Sequence, residues 1–328
     1  MQVPPALRYL CLTLPLFYTS CANFGTRSTD DLYTETALLT IPQNSEVASN
    51  EDFEKDLNFD TYAEKKSVKK WIDFFSGDGR ERFSIFLQRG QQYKGIIQYV
   101  LKKHKMPQSL YYLAMIESGF NFNAVSSAKA VGVWQFMAPT AKRYGLRINN
   151  YLDERKDPIR ASIAASQYLK DLYNVFGSWY LAIASYNAGE ARVMNVIMRA
   201  KSRDYWELAE QGALPRETSD YAPQFVAAAI IGRNPEKYGF VAPVDVNPIP
   251  RLSAIKAPSQ VDLRKIASAL DLNFADLKRF NPHFSGFKTP PSDSYYLIWV
   301  PSEKKNKAKE LQKLKPSLLD SVASTDPF

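Results

Sequence analysis

Apolar residues recur with a helical period through the middle of this chain. Tyr93, Ile96, Ile97, Val100 and Leu101 fall at i, i+3, i+4, i+7 and i+8, which is one stripe on a helix. Met106-Pro107 interrupts the pattern, and Pro107 stands at or just before the first turn of the next helix, where its missing N–H costs little. On that next helix Leu110, Leu113 and Ala114 repeat the spacing, while Tyr111, Tyr112, Met115 and Ile116 make the opposite face apolar too. A helix apolar nearly all round is a buried one. Pro139 opens another helix closed by Gly145, and Asp157-Pro158 opens one that runs to about Phe176 before Gly177. No alternating strand pattern occurs from residue 65 to 240, so a mainly α body is expected there.

The ends of the chain read differently. Tyr9 to Tyr18 is an apolar run behind Arg8, too short to span a bilayer and suited to the core of a signal peptide over residues 1–20. It stops at Thr19-Ser20-Cys21, which resembles a bacterial lipoprotein cleavage site with Cys21 as the lipidated residue, although Tyr18 stands where an aliphatic side chain is usual; an ordinary secreted signal peptide with an incidental Cys is the alternative. Ala22 in place of Asp after the Cys implies the outer membrane as destination. Residues 21–64 are polar and aperiodic and read as a flexible tether. At the other end residues 241–258 are Pro-rich and read as a linker that ends in a short strand. Leu263, Ile266, Ala267 and Leu270 form one helical stripe and Phe274, Leu277 and Phe280 a second, before a strand at Tyr295 to Val300. These make a small α+β module over 259–302, followed by a basic tail over 303–328.

Composition narrows the chemistry. The chain has 328 residues, 45% of them hydrophobic, enough to bury a large core. Its net charge is +8, but the stretch Glu303 to Lys315 carries six Lys against two Glu, so half of the excess sits in the tail and no nucleic-acid face is expected. Only two His occur, His104 and His283, and both Cys lie in the first 21 residues. A Cys/His zinc site and a disulfide in the body are therefore excluded, and no cofactor or metal is called for. Catalysis would have to run on carboxylates, hydroxyls and amides.

Glu117 is the carboxylate that stands out. It follows the all-apolar helix at its last turn, before Ser118-Gly119. Burial and the negative end of the helix dipole both disfavour its ionised form, which is what a general acid near neutral pH requires. Downstream come Asn123-Ala124-Val125-Ser126, Gly132-Val133-Trp134-Gln135-Phe136-Met137, Tyr186-Asn187-Ala188-Gly189 and Glu217-Thr218-Ser219-Asp220-Tyr221. Together with Glu117-Ser118-Gly119-Phe120, these five blocks resemble the catalytic domain of lytic transglycosylases, which are related to goose-type lysozyme. The likeness is to the membrane-bound type D members with C-terminal LysM modules. It implies a lysozyme-like helical catalytic domain over 65–240 and a divergent LysM-like module over 259–302.

Carried over block by block, the resemblance implies Glu117 as the single catalytic acid and base. Ser126 would bond near that carboxylate and the substrate, and Gln135, Met137, Glu217 and Tyr221 would line the groove. Tyr186 and Asn187 would do the same, with the Tyr hydroxyl near the acid. Lys129, Ala138 and Ser185 depart from the usual pattern. Trp134 reads as core more than as a ligand platform. Ordinary glycosidases use two carboxylates, yet no Asp or Glu occurs between Asn121 and Tyr151. This fits the implied reaction, cleavage of the peptidoglycan glycan strand to a 1,6-anhydro sugar without water. A hydrolase of the same fold and an inactive glycan-binding protein are the alternatives, and the module has either a glycan-binding or a packing role.

Overall fold

The stripe from Tyr93 to Leu101 is the buried face of a 24-residue helix in the computed structural model, which describes residues 40–41, 57–244, 247–291 and 295–312. The expected leader, Cys21, most of the expected tether and residues 313–328 of the tail lie outside the described residues. The regular elements of the body are all helices. Its elements are α1 (Phe59–Ala63), α2 (Lys66–Ser76), α3 (Arg80–Lys103), α4 (Tyr111–Ser118) and α5 (Ala138–Arg143), then α6 (Pro158–Phe176), α7 (Trp179–Ala188), α8 (Glu190–Ala200), α9 (Tyr205–Glu210) and α10 (Arg216–Arg233).

Local chemistry sets these boundaries. Asp157 accepts the backbone N–H groups of Ile159 and Arg160 at 2.9 and 3.0 Å, which caps α6, and Gly177 ends it in the left-handed region. Asp204 caps α9 in the same way through Trp206 and Glu207. Pro223 lies inside α10 and deprives the Ser219 carbonyl of its helical donor. The Tyr205 hydroxyl compensates by donating to the carbonyls of Thr218 and Ser219, each at 2.9 Å.

Helix α10 packs across α2, α4 and α7, while α3 packs on α4 and α6, and α6 on α7. Their apolar faces share one core, with α4 buried along six consecutive residues, Tyr111 to Ile116. Trp134 is wholly buried in it and donates its indole N–H to Ser162 at 2.9 Å. Trp134 is thus core. Between α4 and α5 the chain has no regular element, only isolated bridges joining Val125 to Val131 and Val131 to Phe136.

The C-terminal part holds a sheet. Strand β2 (Leu252–Ala257) pairs antiparallel with β3 (Tyr296–Pro301), in register from Leu252 with Pro301 to Ala257 with Tyr296. A two-residue strand, β1 (Thr40–Ile41), pairs with β2. Helices α11 (Leu263–Ala269) and α12 (Phe274–Phe280) follow β2, and α13 (Lys305–Gln312) packs against it. The strand expected at the end of the Pro-rich stretch is therefore β2, a full member of the sheet. This small α+β unit is docked on the body. Leu152, from the body, is wholly buried in the unit's own cluster with Ile255, Leu263 and Phe284, whereas Phe280, Leu297 and Trp299 join the core of the body. Among the described residues no helix is long and apolar enough to cross a membrane.

Candidate active site

Glu117 lies in the last turn of α4, which stops because Gly119 takes the left-handed conformation at φ 56°. A Cβ at Gly119 would also stand 2.1 Å from the Phe86 ring, so the stop is fixed by packing as well as by backbone. The Glu117 side chain is half-buried. Tyr221, one face of α10, donates its hydroxyl to Glu117 Oε1. Burial pushes the carboxyl up from its usual 4.5 to about 7, against the Tyr221 bond, which favours the ionised form, and with help from the negative charge of Glu217. Burial, and then Glu117 itself, hold the Tyr186 and Tyr221 phenols well above the usual tyrosine value. Both hydroxyls therefore serve as hydrogen-bond donors at any working pH.

The 119–137 segment is tied to the end of α4 and to α7. Ser118 donates to the Val133 carbonyl at 2.9 Å, and the Tyr186 hydroxyl donates to the Trp134 carbonyl at 2.7 Å. Gln135 takes a φ of 48° and turns its amide back onto the carbonyls of Gly132 and Ala124, at 2.8 and 3.4 Å. Ser126 is buried, and its hydroxyl oxygen accepts the Ala130 N–H at 3.0 Å. That oxygen closes the 126–130 turn, and no hydrogen bond to Glu117 is described for it. Met137 is the N-cap residue just before α5 and leaves its side chain 40% exposed. Asn187 Oδ1 accepts from the Thr218 hydroxyl at 3.2 Å, which links the end of α7 to the first turn of α10, beside the exposed Glu217.

Tyr186, Glu217 and Tyr221 thus lie within electrostatic reach of Glu117 or of one another, with Gln135 held on backbone carbonyls and Asn187 on the Thr218 hydroxyl. Met137 and Ser126 belong to the loop on the same side. Two contributors had no role assigned from the sequence, Thr218 although it stands inside a motif block and Arg155 outside all of them. Thr218 acts through Asn187. Arg155 holds the far side of the loop by donating to the Lys129 and Phe136 carbonyls at 3.2 and 3.1 Å. A proton donor near pH 7, two phenol donors and an open side toward solvent suit acid–base chemistry on a neutral polymer.

Two stretches of the chain match known protein families. Residues 94–209 match the family described as "Transglycosylase SLT domain", and residues 251–317 match "Lytic transglycosylase MltD, LysM-like domain". The chain is 33% identical over 227 residues to membrane-bound lytic murein transglycosylase D of Escherichia coli K12, covering 68% of this chain and 49% of that protein. It is 31% identical over 130 residues to membrane-bound lytic murein transglycosylase C of Photorhabdus laumondii, covering 35% of this chain and 36% of the relative. It thus spans about half the length, or less, of these relatives. Among solved structures the 70 kDa soluble lytic transglycosylase SLT70 from Escherichia coli is similar at a TM-score of 0.38 and 25% identity, covering 45% of this chain and 25% of that one. Residues 94–209 belong to the transglycosylase SLT domain family, and residues 251–317 to the LysM-like domain of the MltD type.

Proposed function

We propose that this chain is a peptidoglycan lytic transglycosylase that cuts the β-1,4 bond between N-acetylmuramic acid and N-acetylglucosamine, with Glu117 as its single acid and base. The observation that carries the reading is a half-buried carboxyl whose protonated form persists to about pH 7, bonded by Tyr221 and open on one side. Protonated Glu117 gives its proton to the glycosidic oxygen as the bond to C1 breaks. The substrate's own 2-acetamido carbonyl stabilises the cationic C1 in place of an enzyme nucleophile. The Glu117 carboxylate, still held by Tyr221, then takes the proton of the C6 hydroxyl, and O6 closes on C1. The proton borrowed in the first step is returned, no water is consumed, and the product ends in a 1,6-anhydro ring. Ser126, Gln135, Met137, Tyr186, Asn187 and Glu217 line the groove in this reading. The domains divide as a catalytic body over 65–240 and a LysM-like module that takes in β2 ahead of residues 259–302. Cys21 anchors the protein by lipid to the outer membrane, facing the periplasm.

One observation favours a second reading enough to test it. Glu217 is a carboxylate whose charge reaches Glu117, and a hydrolase would use such a partner to activate water. Mass spectrometry of digested sacculi separates the two. The transglycosylase releases muropeptides with 1,6-anhydro ends, lighter by one water than hydrolysed ones. The Glu117→Gln variant should bind sacculi and release almost nothing, a loss at or beyond the upper end of the roughly 10²–10⁴-fold that acid–base catalysis supplies. Reducing ends that vanish in Glu217→Gln would make the protein a muramidase. Binding without any product from the wild type would make it a glycan-binding protein.

A further inference from the structure

The segment that joins α5 to α6 holds a cluster of buried charge that the proposed chemistry does not use. Glu154 is wholly buried and accepts from Arg160 and from the backbone and side chain of Arg147. Asp153 receives the Arg155 side chain on both carboxylate oxygens, at 2.9 and 2.8 Å. Asp157, also wholly buried, accepts the Trp299 indole N–H at 3.0 Å and stands 3.3 Å from the His283 ring. The Asp153 N–H donates to the His283 carbonyl at 2.9 Å, and the Ser285 N–H to the Tyr151 carbonyl at 2.9 Å. One side of this segment is therefore gripped by the LysM-like module.

The other side grips the active-site loop. Arg155 spans to the Lys129 and Phe136 carbonyls, the two ends of the turn that contains Gly132, Trp134 and Gln135. Gly132 lies so close that a Cβ there would stand 1.9 Å from the Arg155 carbonyl oxygen. Two non-glycine residues of this turn, Lys129 and Gln135, hold φ values of 66° and 48°. Such a conformation persists only where its surroundings impose it. Ser118 and Tyr186 hold the turn from the Glu117 side, and Arg155 holds it from the far side, with one guanidinium answering two carbonyls while Asp153 fixes its direction.

We infer that Arg155 is a positioning residue for the groove, and that the docked LysM-like module holds it there through Asp153 and Asp157. The module would then be part of the catalytic unit, setting the loop that carries Ser126 and Gln135 opposite Glu117. The catalytic consequence rests on the proposed transglycosylase reading, whereas the loop's dependence on Arg155 does not.

Hydrogen exchange of the full-length protein, read by mass spectrometry, tests the dependence without any turnover. In Arg155→Ala, peptides covering 124–137 should exchange about tenfold faster or more, while those of α3 and α10 keep the wild-type rate. Trp299→Phe, which keeps the ring but removes the N–H donor to Asp157, should speed the same peptides by a smaller factor. Arg155→Lys, which restores one donor group, should fall between Arg155→Ala and wild type, and it serves as the main variant if Arg155→Ala does not fold. On soluble glycan fragments kcat should fall by up to about 10²-fold, the loss that a misplacement of about 1 Å produces, with a smaller change in KM. Exchange unchanged at 124–137 in a folded variant, or raised evenly across the chain, overturns the proposal, as does a Trp299→Phe loop that behaves as wild type. A wild type that makes no anhydro product while Arg155→Ala still loosens only this loop sinks the function but leaves the positioning role standing.

Discussion

At the scale of single residues, Glu117 carries a stability penalty with a definite pH signature. Its carboxyl is raised from 4.5 to about 7, so the folded protein keeps a proton that the unfolded chain has released. The stabilisation that comes with that proton is complete below about 4.5 and is lost as pH rises through 7. Glu117→Gln never ionises and escapes the loss. It should be more stable than wild type by up to about 3 kcal/mol at pH 8, but by less than about 1 kcal/mol at pH 5. The solvent-facing side of the carboxyl keeps the gain below that ceiling. Urea denaturation at the two pH values checks this, and an equal gain at both would leave Glu117 an ordinary carboxylate, ionised at neutral pH and unfit as the acid. Two neighbours should tune the same group in opposite directions. Tyr221→Phe removes the donor that favours the ionised form, so the alkaline limb of kcat should move up by roughly one unit. Glu217→Gln removes a negative charge, so that limb should move down. Glu117 was readable in the sequence because its helix is apolar on every face and ends at Gly119. The Tyr221 bond was not, since 104 residues separate donor from acceptor; the family motif put Tyr221 among the groove residues and set the Tyr186 hydroxyl, not that of Tyr221, near the acid.

At the scale of elements, helices were legible and the loop was not. Apolar period, Asp-Pro starts and Gly stops located α3, α4 and α6 because each signal acts within a few residues of itself. The 119–137 segment has no period. Its shape is held by side chains from elsewhere bonding to backbone carbonyls, and a carbonyl leaves no mark in the sequence. Arg155 in the run Asp153-Glu154-Arg155-Lys156-Asp157 looks like solvated charge until Lys129 and Phe136 are seen in front of it. Gly132 records the same contact from the other side. Gly132→Ala would combine a φ of 86° with a collision against the Arg155 carbonyl, which is backbone and cannot rotate away. The loop must then move. The expected result is a cost of several kcal/mol, of which the left-handed backbone alone accounts for roughly 1–2 kcal/mol, together with loss of activity. A thermal melt and a sacculus assay on the same preparation would check it. A variant that melts and turns over like wild type would show that the turn around Gly132 is slack.

At the scale of the whole molecule, the Pro-rich stretch before β2 reads as a linker between independent parts, and the packing tells a different story. What joins the parts are single buried side chains placed in unremarkable sequence. Leu152 stands among polar residues yet fills the module's core, and Trp299 sits in a strand yet reaches Asp157. Such cross-insertions follow no period, so composition around 241–258 could not reveal them. They imply that the module supports the body as well as any glycan it binds. Deleting Pro258 to Phe328 would strip β3 from β2, expose Leu152 and leave Asp157 without its indole donor. Exposing one Leu side chain costs about 1.5–3 kcal/mol, and leaving a buried polar group without its partner costs about 1–3 kcal/mol more. At roughly 2–4 °C per kcal/mol for a body of this size, the truncated protein should melt on the order of 10 °C lower or fail to accumulate as a monomer. Calorimetry of the purified truncation decides the matter, with sacculus pelleting run beside it. If the melting temperature holds and only pelleting is lost, the module is a tethered glycan binder and its contacts with the body contribute little to the fold. If melting falls with pelleting, the body needs the module in order to stand, and loss of glycan binding by truncation says nothing about where the glycan sits.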